Sequence, residues 1–398
     1  MAKPVILSAC RTAGGKFGGQ FQKQEATDLG AVVLKAALER SGVDKADVAE
    51  VIMGNGWQAG VGSNPARFAM YKAGVEMTTP AFTVNIRCGS GLRTVMLASD
   101  KIRLGDANAM LAGGMECASK VPYILPAARW GFRMGEQKAA DVLHADGFLD
   151  PMTGKLMGEI TENGVVKEFS ITRQEQDEYA YNSHMKAAAA IEKGYFKEEI
   201  VPVIVKDRKK GDIAYDVDEI PRKDTTLESL AKLPAIFVKR GEESGTITAG
   251  SSSALCDAGS ALMVAGDEWA RSKGYKPMAE IVSYAVTSLE AERFPIAPVY
   301  SMKKALEQAK MSIDDMAFIE INEAFAAQVI ACHRMLPFDM TRLNVCGGAI
   351  ALGHPIGASG AKILTTLLYT LQREKKELGM ASACIGGGQG VALIVRML

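Results

Sequence analysis

The chain has 398 residues, 48% of them hydrophobic, and its 46 basic residues balance its 46 acidic residues at a net charge of +0. This length exceeds a single ordinary core, so two or three packed units are expected. The charge balance excludes a general attraction to nucleic acid or to an anionic membrane surface. Any positively charged site must therefore be local.

Seven cysteines are distributed along the chain, with no Cys-x-x-Cys pair and no His at metal-ligand spacing. This pattern predicts reduced thiols and no metal site. The first residues run directly into a strand-like segment without a signal or transit peptide, and no apolar run reaches membrane-spanning length. We therefore expect a cytoplasmic protein with no membrane partner.

Two distant parts of the chain repeat the same order of predicted elements. Residues 5–8 and 279–283 are typical of opening strands, and residues 51–55 and 318–322 are typical of short strands that each end at an Asn. Helix-like segments follow, so each half alternates strands and helices. Such alternation predicts an α/β fold of mostly parallel sheets covered on both faces, with functional residues at the carboxyl ends of strands.

The spacing of polar residues is also repeated. Cys88 lies 33 residues after Asn55, and His354 lies 32 residues after Asn322. A Ser-Gly pair, at residues 90 and 359, follows each endpoint and opens an apolar-periodic helix. We interpret Cys88 and His354 as pseudo-symmetric partners, which two similar halves bring together across one interface.

The alternation of strands and helices weakens between residues 119 and 248. This stretch contains a charge-rich helix predicted at 170–193 and a basic cluster at 206–210, which acidic neighbours mark as a solvated face. We interpret it as a lobe inserted into the first half. The predicted units are a first half at 1–118 plus 249–275, an inserted lobe at 119–248 and a second half at 276–398.

Cys88 stands in the segment Asn-Ile-Arg-Cys-Gly-Ser-Gly, where a predicted strand turns into a helix and glycines allow the backbone to approach a ligand. An ordinary thiol has a pKa of about 8.5, and a helix N-terminus is expected to lower that pKa by about one unit or more. Cys88 is therefore a candidate nucleophile. The alternative, from this segment alone, is an inert buried cysteine.

His354 stands in a glycine-rich loop, Gly-His-Pro-Ile-Gly-Ala-Ser-Gly, where it has no amphipathic role. In this position it is suited to act as a general base for Cys88 and then as a hydrogen-bond donor to an oxyanion. The other three histidines occupy polar or helical contexts and are interpreted as surface or packing residues: His144, His184 and His333.

A second cysteine, Cys384, lies at a predicted strand end and is followed by Ile and three glycines. One nucleophile suffices for acyl transfer, whereas enolate chemistry also needs a group that moves a proton at an alpha carbon. Asn322, in the segment Asn-Glu-Ala-Phe, is a candidate for orienting a water toward the same oxygen. Its alternative role is to stabilise a turn.

These four blocks, with Cys88, Asn322, His354 and Cys384 in that order, resemble the thiolase family, and the resemblance covers essentially the whole chain. It implies a duplicated α/β fold with five layers, α-β-α-β-α, and an inserted loop domain that holds coenzyme A. It also implies that coenzyme A is a substrate, that no cofactor is bound covalently, and that the protein is a homodimer or homotetramer.

By the same resemblance, His354 activates Cys88 for attack on the 3-keto carbon of a 3-ketoacyl-CoA, and Cys384 protonates the departing acetyl-CoA enolate. His354 and a water held by Asn322 form one oxyanion hole, and the backbone N–H groups of Cys88 and Gly386 form another. The implied activity is reversible thiolysis, with acetoacetyl-CoA as the expected substrate, or Claisen condensation of two acetyl-CoA. The coenzyme A contacts of the family correspond to Arg222, Ser229, Ser253 and Met157.

Two departures from the family pattern concern the substrate pocket. Leu156 replaces the His of a His-Met-Gly segment that lies beside the substrate in many short-chain thiolases. The segment from Phe294 to Tyr300, Phe-Pro-Ile-Ala-Pro-Val-Tyr, resembles the mitochondrial acetoacetyl-CoA thiolases, which accept a 2-methyl branch and can be activated by potassium. Both properties are hypotheses for this chain, and the alternative is a simple change in packing.

Related enzymes with the same fold pair their cysteine differently. Ketoacyl synthases use two histidines, and hydroxymethylglutaryl-CoA synthases use Glu and His, so Cys384 argues against both. The remaining alternatives are a longer-chain 3-ketoacyl-CoA thiolase of beta-oxidation and a noncatalytic acyl-CoA-binding subunit. The presence of all four blocks favours an enzyme.

Overall fold

The computed structural model describes residues 2–207, 209, 211–237 and 245–398. Arg208 and Lys210 of the predicted basic cluster, and residues 238–244 of the predicted inserted lobe, lie outside the described residues. Within the described ranges, no helix is both long enough and apolar enough to cross a membrane.

The first half alternates strands and helices, as predicted. Its elements in chain order are β1 (Pro4–Thr12), β2 (Gly15–Lys16), α1 (Ala26–Ser41), β3 (Val48–Gly54), α2 (Pro65–Ala73), β4 (Ala81–Val84), α3 (Ser90–Leu104) and β5 (Ala109–Cys117). Every residue of β1 and β5 is buried, which explains why these strands are almost continuous apolar runs.

Apart from one long helix, the middle of the chain consists of short elements. The strands are β6 (Tyr123–Ile124), β7 (Ala140–Asp141), β8 (Leu149–Asp150), β9 (Lys155–Leu156), β10 (Ile200–Val201), β11 (Val203–Asp207) and β12 (Gly211–Tyr215), and the helices are α4 (Met157–Thr161), α5 (Arg173–Glu192) and α6 (Leu227–Ala231). The charge-rich helix predicted at 170–193 is α5. It begins at Arg173 because the hydroxyl of Thr172 accepts the N–H of Glu175 at 3.2 Å and so caps the first turn.

The remaining elements complete the first half and form the second. They are β13 (Cys256–Gly266), α7 (Asp267–Ser272), β14 (Ala279–Ser288), α8 (Ala297–Ala309), β15 (Phe318–Ile321), α9 (Ala326–Met335), α10 (Ala349–Leu352), α11 (Ser359–Arg373), β16 (Leu378–Ile385) and β17 (Gln389–Met397). Strands β3 and β15 end directly before Asn55 and Asn322, as the repeated spacing predicts. The predicted boundaries of the two halves and of the inserted lobe stay a prediction.

The main sheet has the strand order β15-β16-β17-β14-β1-β13-β5-β3-β4. The two halves meet where β1 pairs with β14, through only two residue pairs, Val5 with Glu280 and Ile6 with Ala279. Helices α1 and α2 cover the outer face of the first half, α8 covers the outer face of the second, and α3 and α11 pack together between the halves. The layers therefore run α-β-α-β-α, which confirms the predicted fold class.

The prediction of mostly parallel sheets is wrong. Strand pairs β3–β4, β3–β5 and β15–β16 are parallel, whereas β13 and β17 run antiparallel to both of their neighbours. Strand β17 returns from β16 through a tight turn at residues 386–388, and such a return needs no crossover helix. The alternation of strands and helices in the sequence does not reveal the antiparallel direction of β17.

The two central helices pack closely at their first turns. A side chain at Gly91 would place its Cβ 2.8 Å from the backbone nitrogen of Ala361, and one at Gly360 would collide with Leu92. The repeated Ser-Gly pairs therefore allow α3 and α11 to approach each other where both helices begin. This contact brings together the two loops that precede these helices, which carry Cys88 and His354.

Candidate active site

Cys88 lies in a single helical turn, residues 87–89, between β4 and α3. Ser90 holds this turn, because its hydroxyl accepts the N–H of Ile86 at 2.9 Å and donates to the carbonyl of Arg87 at 2.7 Å. Arg87 has a φ of 53°, in the left-handed region, which costs a non-glycine residue about 1 to 2 kcal/mol. The strained turn directs the thiol into a cavity lined by both halves of the chain.

The imidazole of His354 faces this thiol, and its Nε2 lies 3.1 Å from the Sγ of Cys88. On the other side of the ring, Nδ1 lies 2.5 Å from the Oγ of Ser359, whose hydroxyl donates to the carbonyl of Pro355 at 2.9 Å. Because that hydroxyl proton is already used, Nδ1 carries the imidazole proton and Nε2 presents its lone pair to Cys88. A nucleophile and its general base have this arrangement.

The three other residues predicted to be catalytic surround this pair. The Nδ2 of Asn322 lies 3.5 Å from the Nε2 of His354, and its Oδ1 is buried without a partner among the described residues. Cys384, buried near the end of β16, lines the same cavity as Cys88. Gly386 lines this cavity as well, and its backbone N–H lowers the pKa of the Cys88 thiol. The structure therefore brings these five residues together.

The expected lowering of the thiol pKa is wrong. Burial raises the pKa of Cys88 to about 11, although the charge of Arg87 and the backbone N–H groups near the sulfur act in the opposite direction. Burial, and then the charge of Lys362, lower the pKa of His354 to about 3. Burial, and then the neighbouring Cys88, hold the pKa of Cys384 well above its usual range. At neutral pH the site therefore contains two thiols and a neutral imidazole.

The cavity that contains both cysteines is small, with a volume of about 70 Å³. Its walls include Phe294, predicted for the substrate pocket, and Met157 and Ser253, predicted to contact coenzyme A. Leu156 is not one of the lining residues of this cavity, and its place in the substrate pocket stays a prediction. Leu156 is the last residue of β9, where it pairs with Leu149 in a two-stranded ladder, and the next residue along the chain faces the cavity.

A second and larger cavity, of about 330 Å³, is lined by Arg222 and Ser229, the other two residues predicted to contact coenzyme A. An extended segment separates the two cavities. Ser252 and Ala254 line the larger cavity, whereas Ser253 between them lines the smaller one, as alternate residues of an extended chain do. The four predicted coenzyme A contacts are thus divided between two adjoining spaces.

The remaining histidines lie outside the catalytic pair. His144 is exposed, and His333 hydrogen-bonds through its Nε2 to the carbonyl of Phe338 at 2.9 Å. His184 is buried at the wall of the larger cavity, where its Nδ1 accepts the N–H of Arg222 at 3.2 Å. Their interpretation as surface or packing residues agrees with these contacts.

Two sequence models of one family together match nearly the whole chain: "Thiolase, N-terminal domain" over residues 4–268 and "Thiolase, C-terminal domain" over residues 275–397. The chain belongs to the thiolase family. It is 48% identical to an acetyl-CoA acetyltransferase of Cupriavidus necator, with 99% of each chain covered, and 48% identical to one of Escherichia coli, with 100% of each covered. Its structure matches that of the Bacillus anthracis acetyl-CoA acetyltransferase with a TM-score of 0.96 at 39% identity, over 100% of this chain and 99% of the other.

Arg87 is a site residue of this thiolase that the motifs do not single out. Its guanidinium donates to the carbonyls of Gly147 and Leu149, each at 3.3 Å, and so connects the middle segment of the chain to the turn that holds Cys88. Its charge also favours the thiolate form of Cys88. The only signal in the sequence is its position directly before that cysteine.

Glu116 is a second such residue. It is fully buried at the end of β5, and its carboxyl accepts the N–H groups of Gly56 at 2.8 Å, Trp57 at 3.3 Å and Gly357 at 2.9 Å. Since Gly357 belongs to the loop of His354, this carboxyl joins the two halves behind the site. Burial raises its pKa to about 7. No local signal marks it, because a glutamate is normally expected at the surface.

We expect Cys88 to be a neutral thiol in the resting thiolase at physiological pH. The thiol has a pKa of about 11 and therefore stays protonated at neutral pH. His354 has a pKa of about 3 and therefore stays unprotonated at neutral pH. The ultraviolet difference spectrum between the wild type and Cys88→Ser should therefore contain no thiolate band from about pH 5 to about pH 9.

The control for this spectrum is Cys346→Ser. Cys346 is buried outside the catalytic cavity, and burial raises its pKa to about 11 as well. Its difference spectrum should match that of Cys88→Ser across the same pH range. A thiolate band specific to Cys88 at neutral pH would mean that the cysteine and histidine form an ion pair at rest.

Proposed function

We propose that this thiolase is an acetyl-CoA C-acetyltransferase, which catalyses the reversible thiolysis of acetoacetyl-CoA or, in reverse, the Claisen condensation of two acetyl-CoA. The observation that carries the proposal is the 3.1 Å contact between the Sγ of Cys88 and the Nε2 of His354, with the thiol of Cys384 in the same cavity. Neither a hydrolase nor a noncatalytic binding subunit has a use for the second thiol. The relatives named acetyl-CoA acetyltransferase support the same activity.

The first half-reaction transfers the acyl group to Cys88. His354 takes the thiol proton as the sulfur attacks the 3-keto carbon, and the bond between the 2- and 3-carbons then breaks. Cys384 protonates the acetyl-CoA enolate that leaves. Because the pKa of Cys384 is held well above its usual range, this thiol keeps its proton until a strongly basic carbanion forms beside it.

The second half-reaction transfers the acyl group from Cys88 to free coenzyme A. The thiol of coenzyme A gives its proton to the Cys384 thiolate and attacks the acyl thioester. Cys88 leaves as a thiolate and recovers its proton from His354, so every group returns to its starting state. Run in reverse, the same steps condense two acetyl groups, and Cys384 then removes the alpha proton.

We assign two sets of hydrogen-bond donors to the oxyanions of this reaction. Protonated His354 and a water held by Asn322 serve the first, an assignment supported by the 3.5 Å separation of the two side chains. The backbone N–H groups of Cys88 and Gly386 serve the second, supported by the place of both residues in the wall of the small cavity and by the lowering effect of both N–H groups on the pKa of the Cys88 thiol. Loss of one such donor typically costs about 2.7 to 4 kcal/mol.

We assign the coenzyme A moiety to the larger cavity. Arg222 is exposed at its wall, where a guanidinium can pair with a phosphate, and Ser229 lines the same space. The pantetheine arm then passes Ser253 and Met157 to reach Cys88 in the smaller cavity. The support for this path is that Ser253 faces the smaller cavity while its two neighbours face the larger one.

The size of the smaller cavity supports a short acyl group. A volume of about 70 Å³, enclosed by side chains such as Phe294, Phe325 and Ile356, suits a few carbon atoms and not a long chain. No observation favours the longer-chain alternative. Acceptance of a 2-methyl branch and activation by potassium are proposed on the resemblance of the segment at 294–300 alone.

We also propose a homodimer or homotetramer in the cytoplasm. Large apolar side chains are exposed between residues 123 and 134, where Trp130 is 87% and Met134 is 100% exposed. Exposed apolar residues clustered in one segment favour contact with another protein surface. A second copy of this chain is the partner that the family resemblance implies.

We expect the purified protein to cleave acetoacetyl-CoA and 2-methylacetoacetyl-CoA in the presence of coenzyme A, with kcat/KM at least roughly tenfold above that for 3-ketohexadecanoyl-CoA. The volume of about 70 Å³ supports a short acyl group and not a long chain, and the expectation for the 2-methyl substrate rests on the segment at 294–300. The measurement is the initial rate of loss of each 3-ketoacyl-CoA, with potassium or sodium as the cation.

Cys88→Ser supplies the background rate for this assay. A higher kcat/KM for the long-chain substrate would make the protein a beta-oxidation thiolase, and no turnover of any substrate above that background would contradict the proposed activity altogether. Equal rates with potassium and sodium would contradict activation by potassium but would not affect the proposed acetyltransferase activity.

A further inference from the structure

Lys362 is a buried lysine directly behind the proposed catalytic base. It lies in the first turn of α11, and only 4% of the residue is exposed. A buried ammonium is costly unless it is paired. Within the described ranges it forms no ion pair, because the neighbouring carboxylates of Glu199 and Asp218 both hydrogen-bond to Arg11 instead, at distances of 2.5 to 2.9 Å.

The ammonium of Lys362 binds the backbone of the histidine loop. Its Nζ donates to the carbonyl of Leu352 at 2.5 Å and to the carbonyl of Gly353 at 3.3 Å. Gly353 immediately precedes His354, whose own N–H donates to the carbonyl of Ala254 at 2.8 Å. The loop is therefore held from two directions just before the imidazole.

A small cavity of about 20 Å³ lies against the same ammonium, and Glu320, Ser359 and Thr366 are among its lining residues. This volume is enough for one water molecule, which can accept the remaining ammonium proton. Burial, and then the neighbouring carboxyl of Glu323, hold the pKa of Glu320 well above its usual range. This raised pKa disfavours a negative charge on Glu320 beside Lys362.

We propose that Lys362 is a positioning residue for the catalytic base: its ammonium anchors the two peptide groups before His354, keeps Nε2 within reach of Cys88, and places a positive charge behind the imidazole that favours the unprotonated ring. The inference rests on the proposed role of His354. Packing alone does not require a buried ammonium at this position.

The charges around the pair agree with this role. Burial lowers the pKa of Lys362, and Arg11 on β1 acts in the same direction, whereas Cys256 on β13 and the carboxylates of Asp218 and Glu199 act in the opposite direction. The fields of Arg11 and of the two carboxylates oppose each other at Lys362. His354 itself faces Cys88, Asn322 and Ser359, which are neutral, so after burial the charge of Lys362 is what lowers its pKa.

The test replaces Lys362 by Met, which keeps the length of the side chain and removes its charge and its donors. We expect acylation of Cys88 by acetyl-CoA, followed by intact mass, to slow roughly tenfold to hundredfold, while the KM for acetyl-CoA changes less than about twofold. Alkylation of Cys88 by iodoacetamide should also slow. The acid limb of its pH profile should move upward by about one pH unit, because the imidazole then protonates more readily.

Three further variants distinguish a positioning role of Lys362 from a purely structural role. Lys362→Arg keeps the charge, the neighbouring cavity offers space for the longer head group, and most of the rate should return. Glu320→Gln changes another lining residue of the same cavity and leaves Lys362 in place, so it should keep the wild-type pH profile. Lys362→Gln retains a hydrogen-bond donor but removes the positive charge. If Lys362→Met does not fold, Lys362→Gln serves as the uncharged variant in its place.

Failure of the proposed function and failure of the proposed role of Lys362 give different results. A wild type that is not acylated by acetyl-CoA overturns the proposed function, whereas the alkylation profile of Cys88 needs no acyl-CoA and still tests Lys362. Wild-type rates and an unshifted profile in the uncharged variants overturn the inference, as does an equal loss in Glu320→Gln. If the uncharged variants have a lower melting temperature but an unchanged pH profile of alkylation, the role of Lys362 is structural, and the inference is overturned as well.

Discussion

Cys88→Ser is expected to form no acyl-enzyme and to lower the rate of thiolysis by roughly 10⁴-fold or more. A serine hydroxyl is a far weaker acid than a thiol, and a neighbouring imidazole with a pKa of about 3 is too weak a base to ionise it. Intact mass after incubation with acetyl-CoA should show an acetyl adduct on the wild type and none on the variant. An adduct that persists in Cys88→Ser would contradict the assignment of the nucleophile.

Cys384→Ser completes this prediction, because it removes the other thiol of the same cavity. The variant should still be acylated by acetyl-CoA, although more slowly, since the coenzyme A thiolate can leave without a proton donor. It should not exchange the alpha protons of acetyl-CoA with solvent deuterium. Cys332→Ser is the matched control: Cys332 is also buried, its Sγ donates to the carbonyl of Pro295 at 3.3 Å, and it lies outside the cavity.

His354→Ala is expected to slow acylation of Cys88 by roughly 10³- to 10⁵-fold, because one residue supplies both the general base and an oxyanion donor. The pH dependence should change in a specific way. Without the base, only the thiolate fraction reacts, and with a pKa of about 11 this fraction rises about tenfold per pH unit below that value. The wild-type rate should be nearly constant from about pH 5 to about pH 9.

The matched control for His354→Ala is His184→Ala. His184 is also buried, and burial and then the charge of Arg222 lower its pKa to about 4. It lies at the wall of the larger cavity and not beside the nucleophile. Its variant should keep the flat pH profile in single-turnover acylation. A flat profile in His354→Ala would show that another group takes the thiol proton.

The pairing of Cys88 with His354 could be predicted because the duplication is visible along the chain. Equal spacing from Asn55 and from Asn322, followed in each half by a helix-opening Ser-Gly pair, predicts equivalent places in two similar halves. The structure adds the reason for the glycines, since a side chain at either one would separate the central helices where they meet. Their close contact is what brings the two loops together.

Other features could not be predicted, because they depend on segments that are distant in sequence. Lys362 and Glu116 appear in no recognisable motif, yet each contacts the loop of His354 through backbone groups. The motif that contains Leu156 does not show that the next residue, Met157, lines the small cavity, because this depends on where the short strand β9 ends. Antiparallel strands such as β17 likewise leave no mark on the alternation of strands and helices.

The sequence by itself determined the duplication and the layered α/β fold, and it indicated the candidate residues for the chemistry, because residue type, spacing and helix-opening glycines are local properties of the chain. Only the tertiary structure decided the charge state of the site. A helix N-terminus predicts a lowered thiol pKa, but the packing of both halves around Cys88 removes water from the sulfur, and this loss of solvation outweighs the local dipole. Desolvation depends on everything that surrounds a group, and therefore on the complete fold.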